Sequence, residues 1–209
     1  MFEVALVSFA TFFATVGPPD VAIVFAALTS GERSQRRHRL ALKAVLVAGA
    51  ILLFFALVGR PVLHYLGISL AAMRAAGGIL LLLIAIDLVF ARDSGGISTT
   101  PAEADEARRS PDVSVFPIAM PLIAGPGTIG AVILLVADTE GDALAATVVV
   151  GALAAVLLVT FFLMLAAGRV QRVLGVTGVH VLARVFGILL AALAVQFTFD
   201  GIRDSGLMG

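Results

Sequence analysis

Pro121-Leu-Ile-Ala-Gly-Pro-Gly-Thr128 breaks an apolar run over residues 116–137, and Gly17-Pro-Pro-Asp20 breaks another over residues 4–28. Each run is long enough to cross the hydrocarbon of a membrane as a helix, which takes about 20 residues. Proline withholds an N–H and collides with the preceding turn, and glycine frees the backbone. Each cluster should therefore interrupt the helical ladder near mid-span. Lipid cannot satisfy a freed N–H or C=O at that depth, so such breaks are tolerated only where they are buried in protein or face water. One break alone reads most simply as a proline kink met by neighbouring helices. Two at matching positions point to one central cavity.

Four more runs, over residues 40–58, 70–90, 143–167 and 179–199, complete a set of six. The chain of 209 residues is 60% hydrophobic and 13% charged, with mean hydropathy +1.10. A soluble domain carries about 25% charged residues, so this composition excludes one. The stretch Ile79-Leu-Leu-Leu-Leu-Ile-Ala-Ile86 is continuously apolar, where a barrel strand would alternate. The start, Met-Phe-Glu, has no positive region and leads into too long an apolar run for a cleavable signal peptide, so it reads as the first span. Net charge is zero and cysteine is absent, so neither global electrostatics nor disulfides indicate a partner.

Eleven of the fourteen Arg and Lys residues fall on one side when six spans are laid down, among them Arg33, Arg36, Arg37, Arg39, Lys43, Arg108 and Arg172. The excess of positive charge marks the cytoplasmic side and places both termini outside the cytoplasm. The halves also match at a spacing of 108 to 110 residues: Gly17-Pro18 with Gly125-Pro126, Gly59-Arg60 with Gly168-Arg169, Leu66-Gly67 with Leu174-Gly175, and Arg74-x-x-Gly77 with Arg184-x-x-Gly187. A unit of three spans is odd, so its second copy enters from the opposite face. The expected fold is an all-α membrane protein of six transmembrane helices, arranged as two inverted-topology three-helix repeats with broken helices 1 and 4. The repeats are residues 1–91 and 116–209, joined by a polar cytoplasmic linker at 92–115 within one integral membrane domain. Inverted repeats with interrupted helices recur in secondary transporters, whose substrate sites lie near the midplane where the repeats meet.

A half-helix restarting after Pro126 should aim the N–H groups of Gly127, Thr128 and Ile129 into the cavity, its positive end favouring an anion. Asp20 is the one acidic residue near the membrane centre, where a charge costs about 2.5 to 3.5 kcal/mol on the insertion scale. It is a substrate-binding candidate, or else it caps the restarting half-helix. Together the breaks can hold a zwitterion, with its ammonium near Asp20 and its carboxylate near Thr128. The substrate-binding set is thus Gly17, Pro18, Asp20, Gly125, Pro126, Gly127 and Thr128.

Ser8, Thr11 and Thr15 share one helical face leading to the first break and can line a polar path. Bonds to carbonyls one turn back are the plainer reading. Arg74 and Arg184 sit one turn inside their spans; snorkelling to the interface accounts for both, and gating ion pairs are the alternative. The literal G-x-G-x-x-G at Gly125 to Gly130 lacks the strand that a dinucleotide site requires. No metalloprotease or serine-hydrolase motif is present, so no enzymatic role, metal site or nucleic-acid partner is expected.

Phe116-Pro-Ile-Ala-Met-Pro-Leu-Ile-Ala-Gly-Pro-Gly127, with Leu66-Gly-Ile-Ser and Arg74-Ala-Ala-Gly-Gly-Ile-Leu80, resembles the MarC family of bacterial inner-membrane proteins over nearly the whole chain. The resemblance implies six spans, the bacterial inner membrane, and kinship with a wider group of amino-acid exporters, some members being described as carriers of small neutral amino acids. Similar proteins usually read Asp or Asn, Pro, any residue, Gly at the first break. Here Gly17-Pro18-Pro19-Asp20 has the acid and the glycine exchanged. The expected function is a secondary transporter or exporter of a small solute such as alanine or glycine. No cofactor is expected, and proton or sodium coupling is left open. The alternatives are a drug or metabolite efflux channel or carrier, and a non-transporting membrane protein. The expected partners are the lipid bilayer and a small-molecule substrate, with a homo-oligomer left open.

Overall fold

The computed structural model describes residues 1–29, 32–90 and 112–206, and among these every regular element is helical. The elements are α1 (Phe2–Val16), α2 (Pro18–Leu28), α3 (Ser34–Tyr65), α4 (Leu70–Phe90), the π-helical α5 (Ser114–Ile123), α6 (Pro126–Asp138), α7 (Ala143–Leu165) and α8 (Ala167–Asp204). Five segments are long and apolar enough to cross a membrane, and six if α5 and α6, bent by 54° to each other, count as one span. The outside of the bundle is apolar: Leu46, Phe54, Leu57, Leu83, Leu158, Phe162 and Ile188 are all exposed. In water such a surface would be untenable; against lipid tails it is matched.

The ends of the predicted runs shift for identifiable reasons. α3 extends beyond 40–58 at both ends, taking in the Arg-rich segment from Ser34 and running through Pro61. α8 begins well before residue 179 and joins the turn at Ala166 directly. In the first run the ladder stops at one residue only, because Gly17 adopts the left-handed region at φ 59°. Pro18, Pro19 and Asp20, predicted as part of the break, form the first turn of α2, where proline needs no N–H partner. The fourth run is irregular in two places: Phe116 and Met120 take extended dihedrals ahead of Pro117 and Pro121, and the bend follows at Ala124-Gly125. A residue preceding proline is driven out of the helical region, which is why the first half of this run is not a regular α-helix. The linker predicted at 92–115 falls largely outside the described residues, and Ser114 and Val115 already belong to α5.

Without a hydrophobic force between helices in lipid, close backbone approach through small residues provides the attraction. On α3 the residues Ala41, Ala44, Ala48, Leu52 and Ala56 recur every three or four positions and are buried, and α3 packs on α5, α6 and α7. The most extensive packing joins α4 to α8. A Cβ at Gly78 would lie 2.6 Å from the Ala194 carbonyl, and one at Gly201 would lie 2.5 Å from the Ala75 nitrogen. α1 packs on α6, α7 and α8, while α2 packs on α5, α7 and α8. Taking α1–α2 as the first span and α5–α6 as the fourth, first-on-fifth packing is answered by second-on-fourth, and first-on-sixth by third-on-fourth. Most of the packing thus runs between the two halves of the chain rather than within either.

Candidate functional site

The two interruptions lie on elements that touch. The half before the first, α1, packs on the half after the second, α6, and α2 packs on α5. That is the pairing of two interrupted spans laid side by side in opposite directions.

At the first interruption the chain runs out of donors. The Gly17 N–H still reaches the Phe13 carbonyl at 3.1 Å, but Pro18 and Pro19 have no N–H, and the Asp20 and Val21 N–H groups both donate to the Gly17 carbonyl, at 2.9 and 3.0 Å. The carbonyls of Ala14, Thr15 and Val16 therefore receive no hydrogen bond from a described residue. They form the negative end of α1, fit for a cation or an ammonium group. Gly17, Pro18 and Pro19 are buried and Asp20 is half-buried. Asp20 stands in the first turn of α2, where a carboxylate also favours the positive end of that helix.

The second interruption runs out of acceptors. Gly125 is the N-cap of α6, offers no side chain to cap it, and Pro126 follows. The Ile129 N–H donates to the Gly125 carbonyl at 2.9 Å, so the prediction that Ile129 is a free donor is corrected: it makes the first ordinary bond of the helix. Gly127 and Thr128 remain as N–H groups with no acceptor among the described residues. The Thr128 hydroxyl is fully buried and likewise without a partner. A buried unsatisfied hydroxyl costs about 1 to 3 kcal/mol, and three donors at one helix start give the positive end of α6, the polarity that favours an anion. Gly125 is buried, Gly127 half-buried and Pro126 exposed.

The proposed polar path divides. Thr15 donates to the Thr11 carbonyl at 2.9 Å, the plainer of the two readings. Ser8 and Thr11 are buried, yet their hydroxyls have no partner among the described residues. Both lie on α1, which packs against α6, the helix of Thr128. Thr198 follows the local pattern, donating to the Ala194 carbonyl at 2.9 Å.

Two charged groups lie away from the breaks. Lys43 pairs with Asp112, which also accepts from the Ser114 backbone N–H at 3.1 Å. Those donors, Lys43 first, hold the Asp112 carboxyl down at about 2, so it stays ionised well below the ordinary carboxylate range. Of the two readings offered for Arg74, snorkelling and ion pairing, the structure shows ion pairs. Its guanidinium pairs with Asp138 and Asp204 and lies 3.4 Å from Glu140. The sequence offered ion pairing for Arg74 but not its partners, because the carboxylates come from 64, 66 and 130 residues away. Sequence reasoning missed the open carbonyl end of α1, although two consecutive prolines were the signal for it.

Among the described residues no group of three or more His, Cys, Asp or Glu is placed to hold a metal ion. The MarC family profile, described as MarC family integral membrane protein, matches residues 2–205. A UPF0056 membrane protein of Methanocaldococcus jannaschii is 37% identical over 96% of this chain and 96% of its own length. The UPF0056 membrane protein YvbG of Bacillus subtilis is 34% identical over 97% and 96%, and a UPF0056 membrane protein of Aquifex aeolicus is 35% identical over 94% and 91%. No solved structure matches this chain. With an apolar exterior, an all-helical bundle and a match from end to end, the chain belongs to the MarC family of multi-pass integral membrane proteins.

Proposed function

We propose that this protein is a secondary transporter of a small solute, with small neutral amino acids such as alanine and glycine as its substrates. One observation carries the reading: donors of Gly127 and Thr128, including a fully buried hydroxyl, open α6 with no acceptor among the described residues, and the helix packed beside it ends on carbonyls of Ala14, Thr15 and Val16 that meet no donor among them. Complementary helix ends of this kind suit a zwitterion. Its carboxylate takes the α6 donors, and its ammonium takes the α1 carbonyls and Asp20. Inverted repeats, residues 1–91 and 116–209, are supported by the motif spacing and by a packing pattern that survives exchange of the halves. In such a fold access alternates as one half rocks against the other. The excess of Arg and Lys on one side supports an inner-membrane orientation with both termini outside.

The test is counterflow of labelled alanine and glycine in proteoliposomes. Saturable exchange is expected. Thr128→Val should lower it about 10-fold or more, since a hydrogen bond to a charged group contributes about 1.5 to 3 kcal/mol. Flux that never saturates would replace the carrier by a channel, and absence of exchange for every amino acid offered would end the reading.

A further inference from the structure

Arg74, Asp138, Glu140 and Asp204 gather at the end of the bundle where α4 begins and where α6 and α8 finish. The geometry points to a gate: Arg74 clasps α6 to the α4–α8 pair, and the path from that face to the site between the two breaks opens when the clasp lets go. The inference rests on the transport reading above, but it is read by a different measurement.

The register of α4 against α6 carries the argument. Arg74 meets Asp138; a Cβ on Gly77 would come 2.9 Å from Leu134 Cδ2; a Cβ on Gly127 would come 2.2 Å from Ile84 Cδ1. Along α4 the contacts climb from 74 to 84 while along α6 they descend from 138 to 127, so the two helices lie antiparallel over the whole of α6. The 13 residues of α6 make a rod of about 20 Å. One end carries the Gly127 and Thr128 donors, which meet no acceptor among the described residues, and the other is held by Arg74. A rod of this length transmits a tilt from end to end.

The two surfaces of α4 differ in how they can move. Toward α8 the glycines meet backbone: Gly78 faces the Ala194 carbonyl and the Thr198 nitrogen, and Gly201 faces the Ala75 nitrogen and the Ala71 carbonyl. Backbone cannot step aside, so α4 and α8 move as one body. Toward α6 the glycines meet the flexible tips of Leu134 and Ile84, which yield. The sliding surface is therefore the one between α6 and the α4–α8 pair. Arg74–Asp138 and Arg74–Glu140 cross it, while Arg74–Asp204 lies within the α4–α8 body and keeps the guanidinium in position.

Electrostatics makes the clasp two-state. Asp138 is the last residue of α6 and Asp204 the last of α8, so each adds a carboxylate to the negative end of its helix. The Arg74 guanidinium pairs directly with both and makes their meeting favourable; once it is withdrawn, the two carboxylates face each other with Arg203 as the nearby cation and with Asp200 adding a further negative charge. A cavity of about 230 Å³ beside the clasp, lined by Arg74, Asp138, Phe197, Asp200, Arg203 and Asp204, admits water to it.

The protein has no cysteine, so Ser8→Cys supplies a single thiol. Ser8 is 1% exposed on α1, which packs on α6 and α8. The full chain in vesicles is treated with a membrane-impermeant methanethiosulfonate from the Arg74 face. Adding Arg74→Gln should raise the rate of modification about tenfold, a shift of about 1.4 kcal/mol toward the open form. Asp138→Asn, milder for folding, should also raise it, and Asp204→Asn should raise it less. Unchanged rates in both Arg74→Gln and Asp138→Asn overturn the gate, as does an equal rise from both faces, which would mean general loosening. Thiol reaction needs no transported solute, so failure of the counterflow experiment leaves this result to be judged on its own.

Discussion

Gly17 shows how one residue sets the chemistry of the first break. Its φ of 59° ends α1, and the two prolines that follow leave three carbonyls without a donor among the described residues. Alanine in the left-handed region costs about 1 to 2 kcal/mol. Gly17→Ala should therefore lower unfolding stability in detergent by that amount, measured by thermal denaturation; an unchanged midpoint would show that α1 and α2 can join without the kink. Among the hydroxyls, Thr15 is satisfied locally, whereas Ser8, Thr11 and Thr128 are not. All four were visible in the sequence as polar residues in apolar runs. What separated them was whether a carbonyl one turn back lay in line, and that depends on side-chain rotamer and neighbour.

Among the elements, the α4–α8 contact has the least room. Gly78→Ala would place a methyl 2.4 Å from Thr198 Oγ1 and 2.6 Å from the Ala194 carbonyl. Overpacking of this kind costs about 1 to 3 kcal/mol, and because one side of the clash is backbone, the helices must separate. Loss of stability and of the tight α4–α8 pair is expected, read as faster amide exchange in both helices; exchange at the wild-type rate would mean that the pair relaxes without cost. Span positions were legible in the sequence, since continuous apolar runs have one stable solution in lipid. Their ends were not: α3 and α8 continue into charged segments, because a helix once begun meets its own hydrogen bonds beyond the membrane surface as well as inside it.

On the scale of the whole molecule, the halves are interleaved: α4 is packed on α6 and α8, and α3 on α5, α6 and α7. Neither half buries its own polar breaks alone, so separate expression of residues 1–91 should yield no stable bundle. Co-expression with residues 116–209 should restore a folded complex, assessed by detergent size exclusion. A monodisperse, thermally cooperative N-terminal half on its own would contradict the interleaved packing.

The sequence by itself determined that the chain is a helical membrane protein, where its apolar runs lie and which residues interrupt them, because hydrocarbon allows a spanning backbone few alternatives and proline removes a donor wherever it stands. Only the tertiary structure decided which freed groups find no partner among the described residues, that α1 packs on α6, and that Arg74 collects three distant carboxylates. Those outcomes depend on which helices become neighbours, and packing in lipid is chosen by small residues spread along the whole chain rather than by any local pattern.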